Sequence, residues 1–153
     1  MIFVTIGMHS TGFERLVKNM DEIAGRIKEK VIMQIGTTKY MPKNAEYFRF
    51  KSYPEIQRLC KIARVIVAHG GTGSVITAIE QKTPIIVVPR LKKYDEVIDN
   101  QQIDFVDALA EEERVIPVYD LNNLENVLKN REFPPTERKN NQRLVNALRN
   151  YII

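Results

Sequence analysis

The chain has no tryptophan and a single cysteine among its 153 residues, Cys60. One thiol cannot form an intrachain disulfide, which excludes a disulfide-stapled scaffold and makes a reducing compartment the simple expectation. Cys60 falls on the apolar side of an expected helix and reads as a core residue. No apolar run approaches the roughly 20 residues that span a bilayer. The opening segment MIFVTIGMHS has no basic stretch and runs straight into a glycine turn, so it does not read as a signal peptide. There is no Asp-x-Asp pair to hold a metal on a diphosphate. Neither G-x-x-x-x-G-K-[ST] nor G-x-G-x-x-G occurs. Histidine is scarce as well, with only His9 and His69.

Charge is nearly balanced, 23 basic against 19 acidic residues, a net +4. Residues 129–153 hold six basic and two acidic residues, so the excess lies in the tail. Such a tail suits an anionic lipid or acidic partner, or is simply a solvated helix face. Nothing beyond charge points to nucleic acid, and no nucleic-acid partner is expected.

What is present alternates. The apolar runs Ile2–Ile6, Val31–Ile35, Val65–Ala68, Ile85–Val88 and Val115–Val118 read as buried strands, with a short extended piece near Tyr47–Phe50. Between them lie helical stripes. Phe13, Leu16, Val17, Met20, Ile23, Ala24 and Ile27 share one face behind Thr11-x-x-Glu14, which has capping-box spacing. Pro54 starts a helix with Ile56, Leu59, Cys60 and Ala63 inward. Val75, Ile76, Ala78 and Ile79 mark the next, followed by a helix from about Glu96 to Leu109 and a short one at Leu124–Leu128. Continuously apolar strands alternating with helices imply an α/β, Rossmann-like parallel sheet with helices on both faces. Residues 1–133 form the body. Pro134-Pro135 sets off a helical tail over 134–153, with Leu144, Val145, Leu148, Tyr151 and Ile152 on one stripe beside Arg138, Lys139, Arg143 and Arg149.

Parallel sheets place ligands at the carboxyl ends of their strands. Three glycine-bearing turns fall there: Gly7, Gly36 and Gly70–Gly73. In the third, Gly70-Gly71-Thr72-Gly73-Ser74 joins a strand to a helix. Glycine lets the backbone approach a ligand, and a helix N-terminus offers free N–H groups and partial positive charge to phosphate oxygens. Thr72 and Ser74 add hydroxyls. The plain alternative is a tight turn with no ligand.

The run His69 to Ser74, followed by Pro84, Pro89 and Asn100-Gln101, resembles the donor-binding domain of family 28 glycosyltransferases, one half of a GT-B fold. Val31 to Gly36, with Glu46-Tyr47-Phe48 and Glu55-Ile56, is similar to the catalytic subunit of the split N-acetylglucosaminyltransferase of N-glycan assembly. Val88-Pro89-Arg90-Leu91-Lys92-Lys93-Tyr94 is closer to small subunits of bacterial exopolysaccharide and capsule transferases. The resemblance covers about residues 1–130.

It implies a UDP-sugar donor whose diphosphate lies on Gly7 and on Gly70, Gly71, Thr72, Gly73 and Ser74. The nucleoside falls to Ser52, Tyr53, Thr77 and Glu80. Arg90, Asn100, Gln101 and Gln102 reach the donor sugar. Much of the family carries a glutamate eight residues after the position of His69 to hold the ribose hydroxyls. This chain has Thr77 there, with Glu80 one turn later. His69 shapes the loop and contacts the donor, with catalytic base as the lesser role; for His9, base, donor contact and solvent exposure stand level. The reaction implied is an inverting transfer to a lipid-linked, polyprenyl diphosphate saccharide, without metal or other cofactor. A single half implies a membrane-anchored acceptor-binding partner subunit and a cytoplasmic position at the inner face of the membrane. A non-catalytic nucleotide-sugar-binding or regulatory module, favoured by Thr77, and a flavodoxin-like protein of another class are the alternatives.

Overall fold

A computed structural model describes residues 1–7, 11–96 and 101–130, leaving aside the side chains of residues 101, 102 and 130. Six strands, β1 (Ile2–Thr5), β2 (Val31–Gln34), β3 (Glu46–Phe48), β4 (Val65–Ala68), β5 (Ile85–Val87) and β6 (Ile116–Pro117), form one sheet in the order β3-β2-β1-β4-β5-β6. Every pairing is parallel. The helices are α1 (Glu14–Ala24), α2 (Tyr53–Ile62), α3 (Thr72–Glu80), α4 (Gln101–Glu111) and α5 (Leu124–Asn130).

The pleat sends alternate side chains to opposite faces, and both faces are covered. Ile2, Val4, Ile6, Met33, Val65 and Val67 pack with Leu16, Val17 and Met20 of α1 and with Leu124 and Leu128 of α5. Phe3, Ile66, Ala68, Ile85 and Val87 pack with Cys60 of α2, Val75, Ala78 and Ile79 of α3, and Val106 and Leu109 of α4. Burial raises the Cys60 thiol to about 12, which suits a packing residue and not a nucleophile.

One crossover departs from the strand–helix rhythm. No helix joins β2 to β3, so the N–H groups of the intervening loop need other acceptors. Helix α1 supplies them. The Asp21 carboxylate, fully buried, accepts from the Lys43 N–H at 2.9 Å, the Asn44 N–H at 2.8 Å and the Tyr40 hydroxyl at 2.7 Å. Glu14 accepts from the Lys39 and Tyr40 N–H groups at 2.6 and 3.0 Å. The Thr11–Glu14 capping box expected from spacing is therefore not made. Phe13 occupies the N-cap position without a side-chain cap, because Glu14 is drawn to the loop and the Phe13 N–H donates to Thr38 Oγ1 at 3.0 Å. A capping box does form at α2, where the Glu55 carboxylate accepts from both the N–H and the hydroxyl of Ser52. The helix expected from about Glu96 is described over Gln101–Glu111; before it a 3₁₀ turn covers Lys92–Tyr94 and Glu96 lies in a bend, while residues 97–100 are outside the described residues. The tail at 134–153 lies outside the described residues.

Burial raises the Asp21 pKa, but hydrogen bonds from Lys43, Tyr40, Asn44 and Ala45 outweigh it, and the carboxyl lies below its ordinary 3.8. A depressed folded-state pKa means the stabilisation is present above the ordinary value and is lost as pH falls through the folded one. Asp21→Ala should cost about 1–3 kcal/mol, since it strands partly buried donors that now meet a charged acceptor, whereas the more exposed Glu14→Ala should cost under about 1 kcal/mol. Urea titrations at neutral pH and below pH 4 check both. The Asp21→Ala deficit should shrink in acid, and a deficit that persists unchanged would contradict the assignment.

Candidate functional site: a glycine-lined crevice at the switch point

From β1 the chain moves outward to β2 and β3, then returns to build β4, β5 and β6 on the other side. The connections diverge between β1 and β4, and that divergence leaves a crevice beyond their carboxyl ends. Gly7 follows β1, Gly36 follows β2, and Gly70 to Ser74 follow β4. Gly7, Gly36 and Gly70 have φ of +70°, +52° and +91°. Turns of this hand at three adjacent strand ends favour glycine, since other residues pay about 1 kcal/mol or more in this region.

The Gly7 turn is fixed by side chains that close its strands. The Thr5 hydroxyl donates to Gln34 Oε1 at 2.7 Å and accepts from the Gly7 N–H at 3.1 Å. Thr5 and Gln34 are both buried, polar exceptions at the ends of apolar strands. His69 fills the space between the two loops. A Cβ at Gly7 would come within 2.6 Å of His69 Cε1, and one at Gly71 within 2.3 Å of His69 Nε2. The imidazole is thus a spacer, 8% exposed, for which both glycines make room.

Helix α3 opens at Thr72 with Gly71 as its N-cap. Its first turn faces open space among the described residues: a Cβ on Gly73 would meet none of them within 4 Å. Thr72 and Ser74 are half-buried beside it. Thr77 is buried and donates to the Gly73 carbonyl at 2.9 Å. The exposed Tyr53, at the start of α2, brings its hydroxyl to 3.5 Å from Thr77 Oγ1. Ser52, Tyr53 and Thr77 thereby gather on the α2 side of the crevice. Glu80 is exposed at the far end of α3, a turn or about 5 Å farther from the loop than Thr77.

Arg90, expected at the donor sugar, is held by the backbone of the β1–α1 connection. It is 1% exposed and donates to the carbonyls of Gly12 and Thr11 at 2.9 and 3.1 Å. Lys92 and Lys93 are exposed, with the Lys93 ammonium 4.9 Å from the Tyr94 ring centre. His9 and Asn100 lie outside the described residues, as do the side chains of Gln101 and Gln102. Sequence reading missed the Thr5–Gln34 pair, for which polar residues closing two apolar runs were a usable signal. It also missed the ion pair of Arg15 with Glu96, 2.9 Å, whose 81-residue separation leaves no local signal.

Fold and crevice together define a Rossmann-like half of a GT-B glycosyltransferase. Residues 1–151 match the glycosyltransferase family 28 C-terminal domain, and the chain belongs to that family. No curated protein matches it in sequence. Among solved structures it is similar to the glycotransferase of kitacinnamycin, with TM-score 0.66 and 16% identity over 98% of this chain and 39% of that one. The calicheamicin glycosyltransferase CalG4 gives 0.61 and 16% over 99% and 37%. ALG13 gives 0.64 and 18% over 96% and 94%. This chain thus spans about two fifths of the first two transferases and nearly the whole of ALG13.

The packing separates the glycines by what they do. Gly71→Ala should destabilise by about 1–3 kcal/mol through overpacking on the buried His69 ring. Gly73→Ala should be neutral or stabilising by up to about 1 kcal/mol, since it reduces unfolded-state freedom at an unobstructed helical position. Denaturant midpoints of the two variants decide. The reverse order would refute the spacer role of His69, and His69→Ala should relieve part of the Gly71→Ala cost.

Proposed function

We propose that the chain is the donor-binding catalytic subunit of an inverting glycosyltransferase, holding a UDP-sugar in the switch-point crevice. The observation that carries this is the start of α3. Within a family 28 C-terminal domain, its first turn offers unblocked N–H groups beside a position where a side chain would meet nothing. The diphosphate lies on Gly70 to Ser74, with Gly7 across the crevice. The nucleoside lies toward Ser52, Tyr53 and Thr77; with its hydroxyl given to Gly73, Thr77 keeps only acceptor capacity for a ribose hydroxyl. Glu80 is the more distant candidate for the same contact. Asn100, Gln101 and Gln102 reach the sugar.

The leaving diphosphate is stabilised by the helix end and by Lys92 and Lys93, so no metal is required. Inversion needs a base to take the acceptor hydroxyl proton as the diphosphate departs. The burial of His69 between two glycines supports a loop-shaping role for it and leaves the base to His9 or to a partner. The likeness to ALG13 and to the split transferases of the family supports a partner subunit that binds a lipid-linked saccharide. Among the described residues no helix is long and apolar enough to cross a membrane, so membrane contact in this proposal comes through the partner, at the cytoplasmic face.

Calorimetry with UDP tests the site. Gly73→Trp should abolish binding while the chain stays folded, because the new ring fills the open phosphate space. Ser74→Ala should cost about 0.5–1.5 kcal/mol, one hydrogen bond's worth. Unchanged affinity in Gly73→Trp would remove the phosphate assignment. A chelator should leave both binding and partner-dependent transfer intact; loss restored by magnesium would contradict the metal-free mechanism. UDP binding without transfer alongside any co-expressed acceptor subunit would favour the non-catalytic module.

A further inference from the structure

Among the described residues, Arg90 is the largest side chain that the fold buries completely. A guanidinium taken out of water needs its donors used, so what it holds is informative. Its two terminal nitrogens donate to Gly12 and Thr11 carbonyls, and its carbon lies 4.7 Å from the Phe13 ring centre. All three partners belong to the connection from β1 to α1. Arg90 itself stands just beyond β5, and β4 lies between β5 and β1 in the sheet. The side chain therefore links the segments that follow β5 and β1, two strands that flank β4.

A second strap runs beside the first. Arg15, in the first turn of α1, meets the Glu96 carboxylate with two nitrogens at 2.9 and 3.1 Å and the Pro89 carbonyl at 3.2 Å. Its guanidinium lies 4.7 Å from the Tyr94 ring centre and 5.4 Å from that of Phe13. Glu96 also accepts from the Leu91 N–H, which closes the 91–96 turn on itself. The two arginines thus tie the segment after β5 to the segment after β1, side by side over the Phe13 ring.

We propose that Arg90 is a positioning residue, not a donor-sugar contact: it fixes the β1–α1 connection at Thr11 and Gly12, and the Arg15–Glu96 pair holds the loop that carries it. This rests on the reading that the crevice binds a nucleotide. The planar fork suits the task, since an ammonium cannot span two carbonyls and also lie flat on a ring.

The test uses the whole chain, with UDP as the probe and two variants, Arg90→Lys and Arg15→Gln. Arg90→Lys should weaken UDP binding about tenfold by letting one wall of the crevice move. It should also speed hydrogen exchange at the Phe13 amide, which donates to Thr38, while exchange in β2 stays unchanged. Arg15→Gln should shift both readouts the same way by less. A residue that touches only the sugar would leave UDP affinity and Phe13 exchange at the wild-type level, and that result overturns the proposal. Equal acceleration in β2 overturns it too, as it marks a general stability role. If Arg90→Lys does not fold, the less buried variant Arg15→Gln decides, and unchanged Phe13 exchange there is fatal. If the wild-type chain does not bind UDP, the proposed function fails, while the exchange readout still judges the strap.

Discussion

The His69 ring between Gly7 and Gly71 sets the spacing on which the rest of the site depends. It separates the turns that end β1 and β4, the two strands at which the sheet's winding reverses. With no side chain on either glycine, the ring seats deep enough to be nearly buried. The turn after β4 can then enter α3 at Thr72 with its first N–H groups outward. A Cβ on either glycine would push the ring, and the ring would push the helix. Burial, turn geometry and helix direction are thus one constraint at this point, and the open space beside Gly73 is its consequence.

Around that contact, the sheet's carboxyl edge is held by side chains reaching between loops. Thr5 and Gln34 fix the Gly7 turn. Asp21 and Glu14 supply acceptors to a crossover that has no helix of its own. Arg49 donates to the Gly36 and Thr38 carbonyls, both at 2.9 Å. Arg90 and Arg15 tie the loop after β5 to the root of α1. Loops must satisfy their backbone groups by some route. Here charged side chains do so on the edge where a ligand needs a fixed wall, and charge-assisted hydrogen bonds are the stronger kind.

The strands and the glycine turns were legible because apolar runs and glycines are local signals. Five of the six strands sit within a residue or so of their apolar runs, and β3 overlaps the extended piece expected near Tyr47–Phe50 but starts a residue earlier and ends two earlier. The Thr11–Glu14 spacing misled because a capping box is judged over four residues, while Glu14 was claimed by Lys39 and Tyr40, twenty-five residues on. Arg90 was assigned to the donor sugar by the family resemblance, which says nothing of its contacts with Thr11, Gly12 and Phe13. Its burial against Phe13 depends on strand order, which spacing does not encode. Thr77 was placed correctly on the helix behind Gly73, but its bond to the Gly73 carbonyl is a three-dimensional fact. The family resemblance supplied roles that periodicity could not, and it led to the family that residues 1–151 match.

The central claim is that the crevice between β1 and β4 holds a nucleotide diphosphate on the first turn of α3. Titrating UDP, without metal, into the isotope-labelled chain and following backbone amide resonances tests it most directly. The account predicts the largest shifts at Gly7 and at Gly70 to Ser74, a smaller set at Tyr53 and Thr77, and little change at the opposite end of the sheet near Met1, Lys30 and Arg64. Shifts concentrated at that opposite end, or none at saturating UDP, would contradict it.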